Sequence, residues 1–204
     1  MIDTIIFDLG GVLIDWNPRY LYQKIFKTDE EVTWFLTNVC TPEWNEQQDA
    51  GRSFAEATEE AVIKFPEHEH AILAWTNRWE ETIKGPIKET VQVLSAIRAG
   101  KQQRLYALTN WSAETFPLAL RRFDFLQWFE GIVVSGAEKT RKPYSEIYRI
   151  LLNRYSVDPA KALFIDDNQI NVEAARLLGI DAIHFTGAQG LVDELVSRGL
   201  NYSS

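Results

Sequence analysis

Five short apolar runs, spaced by helix-length segments and mostly ending on polar residues, limit what this chain can fold into. Ile2, Ile5, Ile6 and Phe7 form the first, which closes on Asp8 before the Gly10–Gly11 turn. RLYALTN at 104–110 ends on Thr109 and Asn110, and the run at 131–135 ends on Ser135. ALFIDDN at 162–168 carries the doublet Asp166–Asp167, and residues 181–185 make the last run. Short, wholly apolar strands suit a parallel sheet buried on both faces. Amphipathic segments at 87–99, 112–122, 144–154, 169–178 and 188–198 supply the helices between them. The expected fold class is therefore α/β, with a parallel sheet covered by helices on both faces. In such a sheet the C-terminal strand ends share one edge, where ligands bind.

Residues 15–84 break this alternation. Asn17–Pro18 reads as a turn, followed by Tyr20, Leu21, Ile25 and Phe26 at helical intervals. Asp29 starts a second helix carrying Val32, Phe35, Leu36 and Val39, and Thr41–Pro42 starts a third. Ser53 and Glu56 form a capping box for a fourth, which Pro66 stops, and His68 to Thr82 gives one more. No strand pattern is evident here. The expected organisation is a core of residues 1–14 and 85–204 with an all-helical cap, 15–84, inserted after the first strand. Gly85–Pro86 and the region near Asp15 are the expected paired hinges.

Composition narrows the function. The chain of 204 residues has 29 acidic against 21 basic residues, net −8, and no basic stretch. A nucleic-acid partner is not expected, whereas a divalent cation suits an acidic site. Cys40 is the single cysteine, so no disulfide or cysteine/histidine zinc site is expected. No apolar run reaches the 18–20 residues of a membrane span, and no leader pattern opens the chain. The expectation is a cytoplasmic protein without a membrane partner; the oligomeric state stays open.

Asp8, Thr109–Asn110, Ser135 and Asp166–Asp167 would all meet at one sheet edge, with Lys142 reaching it from the start of its helix. This set suits phosphoryl transfer. Asp8 can attack phosphorus. Asp8, Asp166, Asp167 and the Gly10 carbonyl are hard oxygen ligands for Mg²⁺. Thr109 can donate to a phosphoryl oxygen, and Lys142 can hold the same oxygens and keep Asp8 ionised.

The sequence here resembles the haloacid dehalogenase-like (HAD) hydrolase superfamily. IIFDLGGVL, ALTN, RKP and LFIDDN stand where its four motifs would, in order, and the resemblance covers essentially the whole chain. Within it the chain is similar to the subgroup with a small helical cap, which contains many phosphatases of sugar phosphates and other small metabolites. The resemblance implies a Rossmann-like core, Mg²⁺ as cofactor and a small phosphorylated metabolite as substrate. It implies Asp8 as nucleophile, Thr109 and Lys142 as catalytic and substrate-binding groups, and Asn110 as a further substrate-binding residue. Asp8, Gly10, Asp166 and Asp167 match the metal ligands.

One position departs from the pattern. Phosphatases of the family carry an aspartate two residues after the nucleophile, as general acid and base, and this chain has Gly10. A slower enzyme, a substitute such as Asp15, a water or a substrate group, or a non-catalytic binding protein would each fit. A metal-free 2-haloacid dehalogenase, which needs no such acid, is the nearest alternative, but Asp166–Asp167 argues against it. In the cap, Arg19 is the expected substrate contact, with Trp16, Asn17 and Trp44 nearby, and His68 and His70 are expected to be exposed.

Overall fold

The computed structural model describes residues 1–200. In chain order its elements are β1 Thr4–Phe7 and β2 Ile14–Trp16, then α1 Arg19–Tyr22, α2 Asp29–Asn38, α3 Pro42–Asp49, α4 Phe54–Lys64 and α5 Glu69–Asn77. β3 Ile83–Pro86, α6 Lys88–Gly100, β4 Arg104–Thr109, α7 Phe116–Arg122, β5 Gly131–Val134 and α8 Ser135–Glu138 follow. α9 Ser145–Arg154, β6 Ala162–Asp166, α10 Gln169–Leu177, β7 Asp181–His184 and α11 Ala188–Ser197 complete it. Asn201 to Ser204, which the sequence predicts to be a frayed end, lie outside the described residues.

The main sheet has the order β5-β4-β1-β6-β7, and every pair in it is parallel. Alternate residues leave opposite faces, as the pleat requires. Ile5, Phe7, Leu105, Ala107, Leu163 and Ile165 build one apolar cluster; Ile6, Tyr106, Leu108, Phe164 and Ala182 build the other. Helices cover both clusters, which is why the strands read as unbroken apolar runs. The fold is the expected Rossmann-like α/β core with an inserted helical cap.

The cap helices begin where capping chemistry puts them. Ser53 and Glu56 form the expected box at the start of α4. Thr28, rather than Asp29, caps α2, because its hydroxyl accepts the Glu31 N–H while Glu31 returns to the Thr28 N–H. The cap closes on its own aromatic centre: Tyr22 and Trp75 are buried, with Phe35 4.6 Å from the Tyr22 ring. His68 is a correction. It is half-buried, its ring 5.2 Å from Trp34 and 5.8 Å from Phe35.

The two connections to the cap are also more ordered than the sequence suggests. β2 and β3 pair antiparallel, Ile14 against Pro86 and Asp15 against Gly85, with an irregularity between Asp15 and Trp16. These strands are too short for a period-two pattern to register. Their pairing brings both crossings between core and cap together into one ribbon.

Candidate active site

Register decides which side chains meet. Phe7 lies opposite Ile165 on one side of β1 and opposite Ala107 on the other. The next residue, Asp8, therefore emerges beside Asp166, and its N–H donates to the Ile165 carbonyl at 2.8 Å. Asp167 follows in the turn before α10. Ligand oxygens of Asp8, Asp166 and Asp167 lie within 4.8 Å of one another. Three carboxylates this close are costly without compensating charge.

Lys142 supplies one such charge. Its ammonium is 2.8 Å from Asp8 Oδ1 and 2.6 Å from Asp166 Oδ2, and the side chain is 1% exposed. Burial works against that ammonium, but Asp166 and Asp8 outweigh it and hold its pKa above the ordinary value. One cation does not balance the three acids. Burial, with Asp166 and Asp167 adding and Lys142 opposing, pushes Asp8 up to about 8. Burial and Asp166 likewise raise Asp167. A further cation at this point would relieve both, so the donor set fits a hard divalent ion.

Neighbours fix each group. Asn171 donates to both oxygens of Asp166, at 3.1 and 3.2 Å, and the Asn168 N–H donates to Oδ1 at 2.8 Å. Asn110 grips the backbone of Lys142 twice: its amide donates to the Lys142 carbonyl at 3.0 Å and its oxygen accepts the Lys142 N–H at 2.9 Å. The Lys142–Pro143 peptide is cis. Thr109 is buried, and its hydroxyl has no partner among the described residues. A buried donor left unpaired costs stability, so an anionic oxygen is the partner its chemistry suits.

Gly11 is required by close approach. Its φ is +74°, and a Cβ there would sit 2.1 Å from Asp167 Oδ2. Gly11→Ala is expected to cost about 1–3 kcal/mol, read from the urea midpoint at unchanged m-value. A midpoint equal to that of the parent would contradict this packing. Gly10 is different: a Cβ there meets nothing within 4 Å.

Gly10 opens onto a cavity of about 70 Å³ between core and cap. Asn110, Trp111, Ser112 and Thr115 line it from the core; Trp16, Asn45, Asp49, Phe54 and Trp79 line it from the cap and its connections. The cap is tied down around it. Arg141 pairs with Glu46 of α3 at 2.6 Å, and the Phe54 N–H donates to Glu114 at 2.8 Å. Trp79 packs on Trp111 with ring centres 5.5 Å apart.

Not every expected residue arrives here. Arg19 is held elsewhere, paired with Asp29 and donating to the Thr33 hydroxyl at 3.0 Å. Its place on the short α1 turns it toward α2 instead of the sheet edge. Asp15 accepts from the Tyr20 hydroxyl at 2.9 Å on the ribbon and does not line the cavity. Ser135 binds the backbone of Trp111. Trp44 packs on Trp75 within the cap, and Asn17 accepts the Arg19 N–H. Sequence reasoning missed Asn171, Asp49 and Arg141. Asn171 alone left a signal, five residues beyond Asp166 on a helix that starts at the site.

A buried lysine between strand-end aspartates, under a helical cap on a parallel sheet, defines a hydrolase-type site. The family model of haloacid dehalogenase-like hydrolases matches residues 2–179, and the chain belongs to that family. A sesquiterpene phosphatase from Aspergillus oryzae is 30% identical, over 93% of this chain and 93% of its own. A HAD family enzyme from Bacteroides thetaiotaomicron, solved with magnesium and inorganic phosphate, superposes with TM-score 0.65 at 22% identity, over 90% of this chain and 93% of its own. An L-2-haloacid dehalogenase from Xanthobacter autotrophicus superposes with TM-score 0.63 at 17% identity, over 98% and 85%. The fold is thus shared with an enzyme that binds magnesium and phosphate and with a haloacid dehalogenase. No helix among the described residues is long and apolar enough to cross a membrane.

Proposed function

We propose that this chain is an Mg²⁺-dependent phosphomonoester hydrolase that acts on a small phosphorylated metabolite through an aspartyl-phosphate on Asp8. The observation that carries the reading is the Asp8–Lys142–Asp166 cluster with Asp167 beside it, an arrangement two positive charges short of balance when all three acids are ionised. Asp8, Asp166, Asp167 and the Gly10 carbonyl are the groups that would hold the ion. When bound, Mg²⁺ supplies positive charge that offsets the repulsion between nucleophile and phosphate.

Asp8 attacks phosphorus, with Lys142 and the Thr109 hydroxyl on the phosphoryl oxygens. Asn110 keeps the Lys142 segment in place. Asn171 and the Asn168 N–H orient Asp166. The cap keeps out bulk water, so that the acyl-phosphate meets only the water that hydrolyses it. The phosphatase relative supports this chemistry, and so does the magnesium–phosphate complex of the Bacteroides protein. A metal-free dehalogenase fits less well. Asp166 and Asp167 would then crowd an anionic substrate with uncompensated charge.

The cavity of about 70 Å³ is far below the roughly 300–1,000 Å³ of a small-molecule pocket. The cap therefore opens to admit substrate, bending at the β2–β3 ribbon. A panel of phosphomonoesters that includes sugar phosphates tests the activity. Turnover is expected with Mg²⁺, is lost in EDTA and returns when Mg²⁺ is restored. Full turnover in EDTA rejects the metal. Metal-free release of chloride from 2-chloropropionate, with no phosphate released from any ester, selects the dehalogenase instead.

A further inference from the structure

Gly10 leaves the proposed reaction without a proton donor on the nucleophile strand. The cavity it opens onto has a carboxyl on its other wall. Asp49 ends α3 of the cap, and its side chain lines the same space as Gly10 and Asn110. It is no ordinary surface acid. Asn45, one turn earlier, donates to Asp49 Oδ2 at 3.1 Å, and the backbone of Ser112 in the core favours its ionised form. Glu46, one turn back on α3, carries the ion pair to Arg141. That pair holds this face of α3 against the segment that bears Lys142.

We propose that Asp49 is the general acid and base of the reaction, reaching across the cavity to do the work of the side chain that Gly10 lacks. The inference rests on the phosphatase reading above and deepens it. As Asp8 bonds to phosphorus, the bond from phosphorus to the leaving oxygen breaks, and that oxygen takes the Asp49 proton. The Asp49 carboxylate then takes a proton from water, whose oxygen bonds to phosphorus. The bond to Asp8 breaks, releasing inorganic phosphate, free Asp8 and protonated Asp49. Because the acid sits on the cap, chemistry waits for closure.

The surroundings agree. Burial pushes Asp49 up to about 7, Glu46 adding to the rise and Arg141, Lys142 and the Ser112 backbone opposing it. A group near neutrality serves in both directions. Asp15 is engaged by Tyr20 away from the cavity and is not the substitute.

The test compares Asp49→Asn with the parent on glycerol 2-phosphate, whose alkoxide needs a proton, and on p-nitrophenyl phosphate, whose phenolate does not. The substitution is expected to lower turnover of the alkyl ester by about 10²–10⁴-fold. On the aryl ester it is expected to leave a burst of one equivalent of p-nitrophenolate, followed by slow turnover as the acyl-phosphate waits for water. An alkyl turnover within threefold of the parent overturns the proposal. So does an equal loss on both esters with no burst, which would make Asp49 a mere clasp of the cap.

The parent chain gives a second, variant-free readout. Its kcat/KM for the alkyl ester should fall as pH rises through about 7, the proton being lost, while that for the aryl ester should not. Parallel profiles overturn the assignment. Failure of the underlying phosphatase reading looks different: Asp8→Asn would then keep its turnover, or the parent would hydrolyse neither ester.

Discussion

Asp8→Asn is expected to lower phosphatase turnover by about 10⁴-fold or more, the scale on which an enzyme loses rate with its nucleophile. The amide has nearly the shape of the carboxylate but cannot form an acyl-phosphate. Its oxygen can still accept from Lys142, now 2.8 Å from Asp8 Oδ1, and from the Leu9 N–H at 2.7 Å. The fold should therefore survive. In EDTA the urea midpoint is expected to equal or exceed that of the parent, because the change removes one of three crowded acids. Steady-state kinetics beside urea unfolding checks both halves. Unchanged turnover would remove Asp8 from the chemistry. Lost turnover with a collapsed midpoint would mean that the carboxylate is structural.

Lys142→Met should have the largest effect on stability. The side chain is 1% exposed and its ammonium lies 2.6 Å from Asp166, itself fully buried. Removing one partner of a buried pair leaves an uncompensated charge, at a cost of about 3–5 kcal/mol. Methionine fills most of the volume, so the loss is electrostatic and not a cavity. The unfolding free energy from urea titration in EDTA should fall by that amount, and turnover should fall with it. A double substitution, Lys142→Met with Asp8→Asn, should recover part of the stability and none of the activity. A single substitution costing less than 1 kcal/mol would show that the cluster is better hydrated than its burial indicates.

The parts of this molecule that showed in the sequence are those set by short-range rules. Asp8, Thr109 and Asp166 each end an apolar run, and a buried parallel sheet turns that position into a shared edge. Lys142 was legible because Pro143 marked where its segment stopped being strand or helix. The capping box of α4 was written in Ser53 and Glu56. Long-range geometry left no such trace. Asp49 sits in a polar stretch, PEWNEQQD, that reads as a solvated helix; the closing of cap on core alone brings it to Gly10. Arg19 shows the opposite case. Closeness to Asp8 in sequence suggested closeness in space, but the β2 strand intervenes and α1 delivers the guanidinium to Asp29. The β2–β3 ribbon was hidden because three or four residues carry no measurable period.

The most direct test is a crystal structure of the full chain grown with Mg²⁺ and beryllium fluoride, which mimics a phosphoryl group on a carboxylate. One cation is expected, held by Asp8 and the Asp166–Asp167 doublet, with the fluoride complex on Asp8 between the Thr109 hydroxyl and the Lys142 ammonium. Carboxylates turned away from one another around no ion, with the complex bound elsewhere or not at all, would contradict the proposed mechanism.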